Sequence, residues 1–115
     1  MKILVIGSEG QLGSEFKKIS NCYNSLSWVF STIKTLDLLR LDAIISFLID
    51  INPSVIINCA AYTSVDEAEN NFEHAKIING YSIDYICKSL EKHKPDTKFI
   101  HLSTDYIFDG EFLKP

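Results

Sequence analysis

Lys2-Ile3-Leu4-Val5-Ile6-Gly7-Ser8-Glu9-Gly10-Gln11-Leu12-Gly13 joins an uninterrupted aliphatic run to three evenly spaced glycines. Aliphatic residues without polar alternation read as a strand buried on both faces, as in parallel sheets. Gly7 ends the run, and residues 11–20 read as a helix with Leu12, Phe16 and Ile19 on one side. At such a strand-to-helix junction one glycine permits the tight turn, one lets the backbone approach a pyrophosphate, and one allows close helix–strand packing. The helix that follows aims its free amides and positive dipole end at the phosphate. Gly7, Gly10 and Gly13 therefore predict the opening βαβ unit of a dinucleotide-binding domain.

The pattern continues outward from that unit. Residues 26–30 read as a second strand, and Leu41, Ile44, Ile45 and Leu48 recur at helical spacing over about 41–51. Asn52-Pro53 stops that helix, because the residue before proline is pushed out of the α region. Ser54–Cys59 reads as a third strand. Ser64 and Glu67 have the spacing of a capping box, a helical stretch runs to about Lys92 with room for a break, and Lys98–Leu102 reads as a fourth strand. Strands alternating with helices predict an α/β, Rossmann-type parallel sheet with helices on both faces and right-handed crossovers. The expected strand order is 3-2-1-4, with the outer edge of the fourth strand open to pairing and self-association.

Bulk properties narrow the functional classes. A chain of 115 residues is one domain by length, and a net charge of −4 offers no basic footprint for nucleic acid. No apolar run is long enough for a membrane span, and the N-terminal run is too short for a signal peptide. Cys22, Cys59 and Cys87 are widely spaced and form no metal or disulfide pattern, which fits free thiols in a reducing cytoplasm. Asp66 and Glu69 share a helical face but suggest no third metal ligand, so solvated charge and capping explain them. His74 and His93 read as exposed helix positions, and His101 as a satisfied strand-end histidine.

Cofactor preference should be written at the end of the second strand. An acidic residue there binds the ribose 2′-hydroxyl, whereas its absence beside a basic group accommodates a 2′-phosphate. No Asp or Glu occurs from Phe16 to Leu36, and Ser31, Thr32 and Lys34 occupy the region. NADPH is accordingly expected to serve at least as well as NADH.

Three collinear segments carry a family resemblance. Gly7-Ser-Glu-Gly-Gln-Leu-Gly13, Asn58-Cys-Ala-Ala-Tyr-Thr-Ser-Val-Asp-Glu-Ala-Glu69 and Ser103-Thr-Asp-Tyr-Ile-Phe-Asp-Gly110 resemble the signatures of the dTDP-4-dehydrorhamnose reductases, extended short-chain dehydrogenases/reductases. The resemblance implies that Gly10, Gln11 and Leu12 hold the pyrophosphate and that Asp37 and Leu38 lie by the adenine. It implies that Ala60, Ala61, Tyr62 and Thr63 line the cofactor, with Leu102 on the nicotinamide side and Asn79 on a helix beneath. Thr104 would be the catalytic hydroxyl, donating a hydrogen bond to the keto-sugar oxygen on which charge grows, with Asp105 by the nucleotide-sugar substrate; Tyr106 reads equally as a substrate contact or as packing under the turn.

The family's proton donor is a tyrosine with a lysine four residues later. Four residues after Tyr23, Tyr62, Tyr81, Tyr85 and Tyr106 stand Ser27, Asp66, Tyr85, Ser89 and Gly110. Residues 1–115 are therefore expected to be an NAD(P)-binding Rossmann domain without its substrate domain, a fragment or truncated homologue that binds nucleotide without turnover. Two other readings stay open. One is a non-catalytic NADP-binding regulatory subunit resembling that of methionine adenosyltransferase, and the other a reductase or epimerase of another nucleotide sugar.

Overall fold

The computed structural model describes residues 1–63 and 71–103. The chain alternates β1 (Lys2–Ile6), α1 (Gln11–Ile19), β2 (Ser27–Ser31), α2 (Leu41–Ile51) and β3 (Val55–Asn58). After the undescribed stretch come a short helix α3 (Phe72–Lys76), a π-helical turn (Ile77–Tyr81), α4 (Ser82–His93) and β4 (Lys98–His101). The capping box at Ser64 and the turn bearing Thr104, Asp105 and Tyr106 lie outside the described residues.

All pairings are parallel, and the strand order is β2-β1-β3-β4. The expected order 3-2-1-4 is corrected in the place of β3, which lies between β1 and β4 rather than outside β2. The physical reason lies in the side chains. Leu4, Val5 and Ile6 of β1 are at most 1% exposed, and Ile56 and Ile57 of β3 at most 8%, so both strands suit the interior of the sheet. Ser27 of β2 is exposed, which suits an edge. The chain moves one way from β1 to β2, then reverses past β1 to β3 and onward to β4. Right-handed crossovers in opposite directions must use opposite faces.

The core divides accordingly. On one face Leu4, Ile6 and Ile56 meet Ile44 and Leu48 of α2 and Ile86 and Leu90 of α4. On the other, Ile3, Val5 and Ile57 are covered by Phe16 of α1 and by the aromatic pair Trp28 and Phe30, whose rings stack at 6.0 Å. The anticipated Leu12–Phe16–Ile19 stripe does not all reach this core: Leu12 is 40% and Ile19 46% exposed. Buried Gly13 instead draws the start of α1 against the loop, so Gly13 and Phe16 define its inner side. The helix ends at Ile19 and tightens into a 3-10 turn over Ser20–Cys22.

Helix α2 begins at Arg40 without a side-chain cap and ends as Asn52 turns left-handed, φ 49°, its N–H donating to Leu48 O. That geometry halts the helix immediately before Pro53. No helix among the described residues is long and apolar enough to cross a membrane.

Candidate nucleotide-binding site

The point where the connections leaving β1 reverse direction is a crevice at the carboxyl ends of β1 and β3, the place where open α/β sheets bind ligands. A cleft of about 210 Å³ lies there. Its walls come from the glycine loop, the segment after β2, and the turn after β3.

The glycine loop is shaped by two close approaches. Gly7 has φ +77°, a left-handed conformation, and a Cβ placed on it would stand 2.7 Å from both Cα and N of Ala60. A Cβ on Gly13 would lie 2.3 Å from Gly7 O. The loop is further fixed by Ser8 N–H donating to Ser31 O at 3.0 Å and Gly10 N–H to Gly7 O at 3.1 Å. Ser14 N–H donates to Gly10 O, so α1 starts at Gln11 and its first-turn amides have no acceptor within the helix. No acidic residue occupies that first turn. The N-terminus of α1 is thus a donor group suited to an anion.

After β2 the chain makes a tight turn. Thr35 and Leu36 N–H both donate to Thr32 O, Lys34 N–H donates to Thr32 Oγ1, and Thr32 N–H donates to Thr35 Oγ1. Lys34 and Thr35 are exposed, whereas Leu36 and Leu38 are buried on either side of Asp37. Asp37 Oδ1 accepts Leu39 N–H at 3.0 Å, which turns the carboxylate into a fixed part of the wall.

The turn after β3 is held from two sides. Asn58, 1% exposed, accepts Ala60 N–H on its Oδ1 at 3.1 Å. Asn79, from the π-helical turn, accepts Tyr62 N–H at 2.8 Å and donates to Tyr62 O at 3.1 Å. One side-chain amide thereby pairs both polar groups of a residue 17 positions away. π-helical turns often mark functional sites, and here the turn delivers Asn79 to that loop.

Of the residues singled out in the sequence, Gly7, Gly10, Asp37, Leu38, Ala60 and Ala61 converge on the cleft. Gln11, Leu12 and Gly13 sit just beyond it in the first turn of α1. Tyr62 and Thr63 continue the turn after β3, and Leu102 follows β4 at 48% exposure; none of these three lines the cleft. The side chain of Asn79 holds the Tyr62 backbone, so it acts on the site through that loop. Thr32, read from the sequence as part of the 2′-phosphate region, also lines the cleft, and Glu9, Ile33, Leu36, Cys59 and Ile78 form walls without having been singled out as cofactor residues. Their signal was positional: most adjoin a strand end or flank a selected residue. Burial pushes the Cys59 thiol up from its ordinary value.

The Asn79 clamp yields a direct test. Asn79→Leu should cost about 1 kcal/mol, since its two hydrogen bonds are solvent-exposed. Urea unfolding gives that figure, and hydrogen exchange at Tyr62 N–H should accelerate.

Comparisons with known proteins place this geometry among relatives. The family model described as the RmlD substrate binding domain matches residues 1–115. The dTDP-4-dehydrorhamnose reductase of Aggregatibacter actinomycetemcomitans is 37% identical over 112 residues, covering 95% of this chain and 36% of that protein. Among solved structures, a dTDP-4-dehydrorhamnose reductase from Clostridium acetobutylicum superposes with a TM-score of 0.86 at 34% identity, over 100% of this chain and 40% of that one. The enzyme of that name from Bacillus anthracis, solved in complex with NADP, gives 0.84 at 29% identity, over 96% of this chain and 39% of its own. The chain thus spans a little over a third of the curated relative's length.

Proposed function

Because the chain belongs to the family described as the RmlD substrate binding domain, we propose that residues 1–115 form the NAD(P)-binding Rossmann part of a nucleotide-sugar reductase. The reaction is reduction of dTDP-4-dehydro-6-deoxy-L-mannose to dTDP-L-rhamnose with NADPH or NADH. The observation that supports this reading is the contact of Gly7 with Ala60 beside the open first turn of α1. A cradle that a single Cβ would fill, next to unpaired amides, fits a pyrophosphate approached by backbone.

The amides of Gln11, Leu12 and Gly13 bind the phosphates, and Gly10 leaves room for them. Asp37 and Leu38 receive the adenine at the far wall, and Ala60 and Ala61 present backbone with little side chain. Tyr62, Thr63 and Leu102 flank the nicotinamide end, with Asn79 fixing Tyr62. The chemistry that a bound dihydronicotinamide supplies is hydride donation to the sugar carbonyl. Thr104 donates a hydrogen bond to the carbonyl oxygen as negative charge grows there, and Asp105 and Tyr106 meet the sugar nucleotide.

Calorimetric titration tests the binding half of this reading. NADPH should bind at least as tightly as NADH, because Thr32 and Lys34 stand where an acidic residue would exclude the 2′-phosphate. A strong preference for NADH overturns the 2′-phosphate assignment, and binding of neither overturns the site. No tyrosine of the chain has lysine four residues on, so the 115-residue polypeptide is expected to bind NADPH and leave the keto sugar unreduced. Steady NADPH oxidation in the presence of that sugar would show otherwise.

We also infer a cytoplasmic setting, where the nucleotide-sugar substrate and NADPH are both available. Among the described residues β4 pairs only with β3, and Ile100 on it is 50% exposed. Self-association through that strand follows from its free backbone groups. Light scattering of the 115-residue polypeptide should show mass rising with concentration; a monomer throughout counts against it.

A further inference from the structure

The last residue of β4 reaches the nucleotide cleft without lining it. His101 is the register partner of Asn58 across the β3–β4 pair, and its Nδ1 lies 3.3 Å from Asn58 Nδ2. The orientation of the Asn58 amide is settled at its other end, where Oδ1 faces Ala60 N–H. Its nitrogen therefore faces the histidine, and an amide nitrogen can only donate. Nδ1 of His101 must accept, which puts the ring proton on Nε2. The ring is steadied by Phe99, stacked 6.3 Å away with 13° between planes.

We propose that His101 is a positioning residue for the dinucleotide cleft, acting through Asn58 on Ala60 and so on the gap between Ala60 and Gly7. The succession of contacts is continuous. His101 Nδ1 accepts from the buried Asn58 amide nitrogen, which leaves Asn58 Oδ1 to hold Ala60 N–H, and Ala60 is the group a Cβ on Gly7 would strike. If the amide turned over, Ala60 N–H would face an N–H donor and the turn after β3 would move off the glycine loop. This function rests on the reading that the cleft takes a dinucleotide.

The experiment pairs two variants with two readouts. His101→Phe keeps an aromatic ring on Phe99 but offers no acceptor, whereas His101→Gln restores an acceptor through its side-chain carbonyl oxygen. NADPH affinity should fall about tenfold in His101→Phe, the scale of one buried hydrogen bond, and return to within about threefold in His101→Gln. Exchange of the Ala60 amide, followed without ligand, should quicken in the first and stay slow in the second. Equal loss in both variants, or no loss in His101→Phe, means that the ring merely fills space and overturns the proposal. If the wild-type chain binds no NADPH, the dinucleotide reading fails, and Ala60 exchange still decides whether the contacts are coupled. Should His101→Phe not fold, the ring-nitrogen NMR shifts of the wild type decide it: an Nε2–H tautomer supports the proposal and an Nδ1–H tautomer overturns it.

Discussion

Gly7→Ala should be the most damaging single methyl group that can be added to this chain. Left-handed backbone costs a non-glycine residue about 1–2 kcal/mol. The new carbon would also stand 2.7 Å from the Ala60 backbone, where no flexible side chain can yield. Overpacking of that kind costs about 1–3 kcal/mol. The sum, about 2–5 kcal/mol, is a large share of the ~5–15 kcal/mol that holds a domain together. Thermal and urea unfolding should both show the loss, and NADPH binding should disappear with it. Gly13→Ala should follow, since its Cβ would lie 2.3 Å from Gly7 O and force α1 off the loop. Gly10→Ala is the informative contrast. Its Cβ meets nothing closer than Gly7 O at 3.4 Å, so the fold should survive while a methyl group intrudes on the cleft and weakens NADPH. Equal stability losses at all three glycines would contradict the geometry.

Asn58→Leu should produce the largest effect outside the glycine loop. Asn58 is 1% exposed and uses both ends of its amide, one on Ala60 N–H and the other on His101. Leucine preserves much of the volume but strands a half-buried backbone donor and a ring acceptor. Each unsatisfied group costs about 1–3 kcal/mol, so a net loss of about 2–3 kcal/mol is expected after the gain in apolar burial. Urea unfolding should give that figure with an unchanged denaturant slope. A loss below about 0.5 kcal/mol would mean that the two bonds contribute little.

The elements were legible where local pattern suffices. The aliphatic run at Lys2–Ile6 and the helical spacing of Leu41, Ile44 and Leu48 coincide with β1 and α2, and Pro53 marks the end of α2. Strand order was not legible from periodicity, because it depends on which way the chain turns after β2. A partial signal was present: serines at both ends of Ser27-Trp28-Val29-Phe30-Ser31 suit an edge, and unbroken Ile3–Ile6 suits the centre. The candidate site divides similarly. Gly7 and Ala60 are 53 positions apart, and their approach is legible only as a glycine in one motif and an alanine in another. Glu9, Ile33 and Cys59 carry no motif of their own; the cleft acquires them because neighbouring residues are placed there. His101 read as a satisfied strand-end residue, but its partner Asn58 lies 43 positions away and becomes visible only through strand register.

At Gly80, in the π-helical turn Ile77–Tyr81, residue number matters where residue type does not. A side chain at Gly80 would meet nothing within 4 Å, so that position is sterically open to substitution. Losing it is another matter. Ile86 and Leu90 anchor α4 to the core from one end, while Asn79 is anchored to Tyr62 from the other. Deleting one helical residue between these anchors rotates one end against the other by about 100°, the angle per residue in 3.6-fold repetition. Either Asn79 leaves the loop or α4 leaves the core. Gly80 should therefore tolerate other residue types while the length of the segment stays locked, an insertion-deletion boundary inside a helix rather than at a loop.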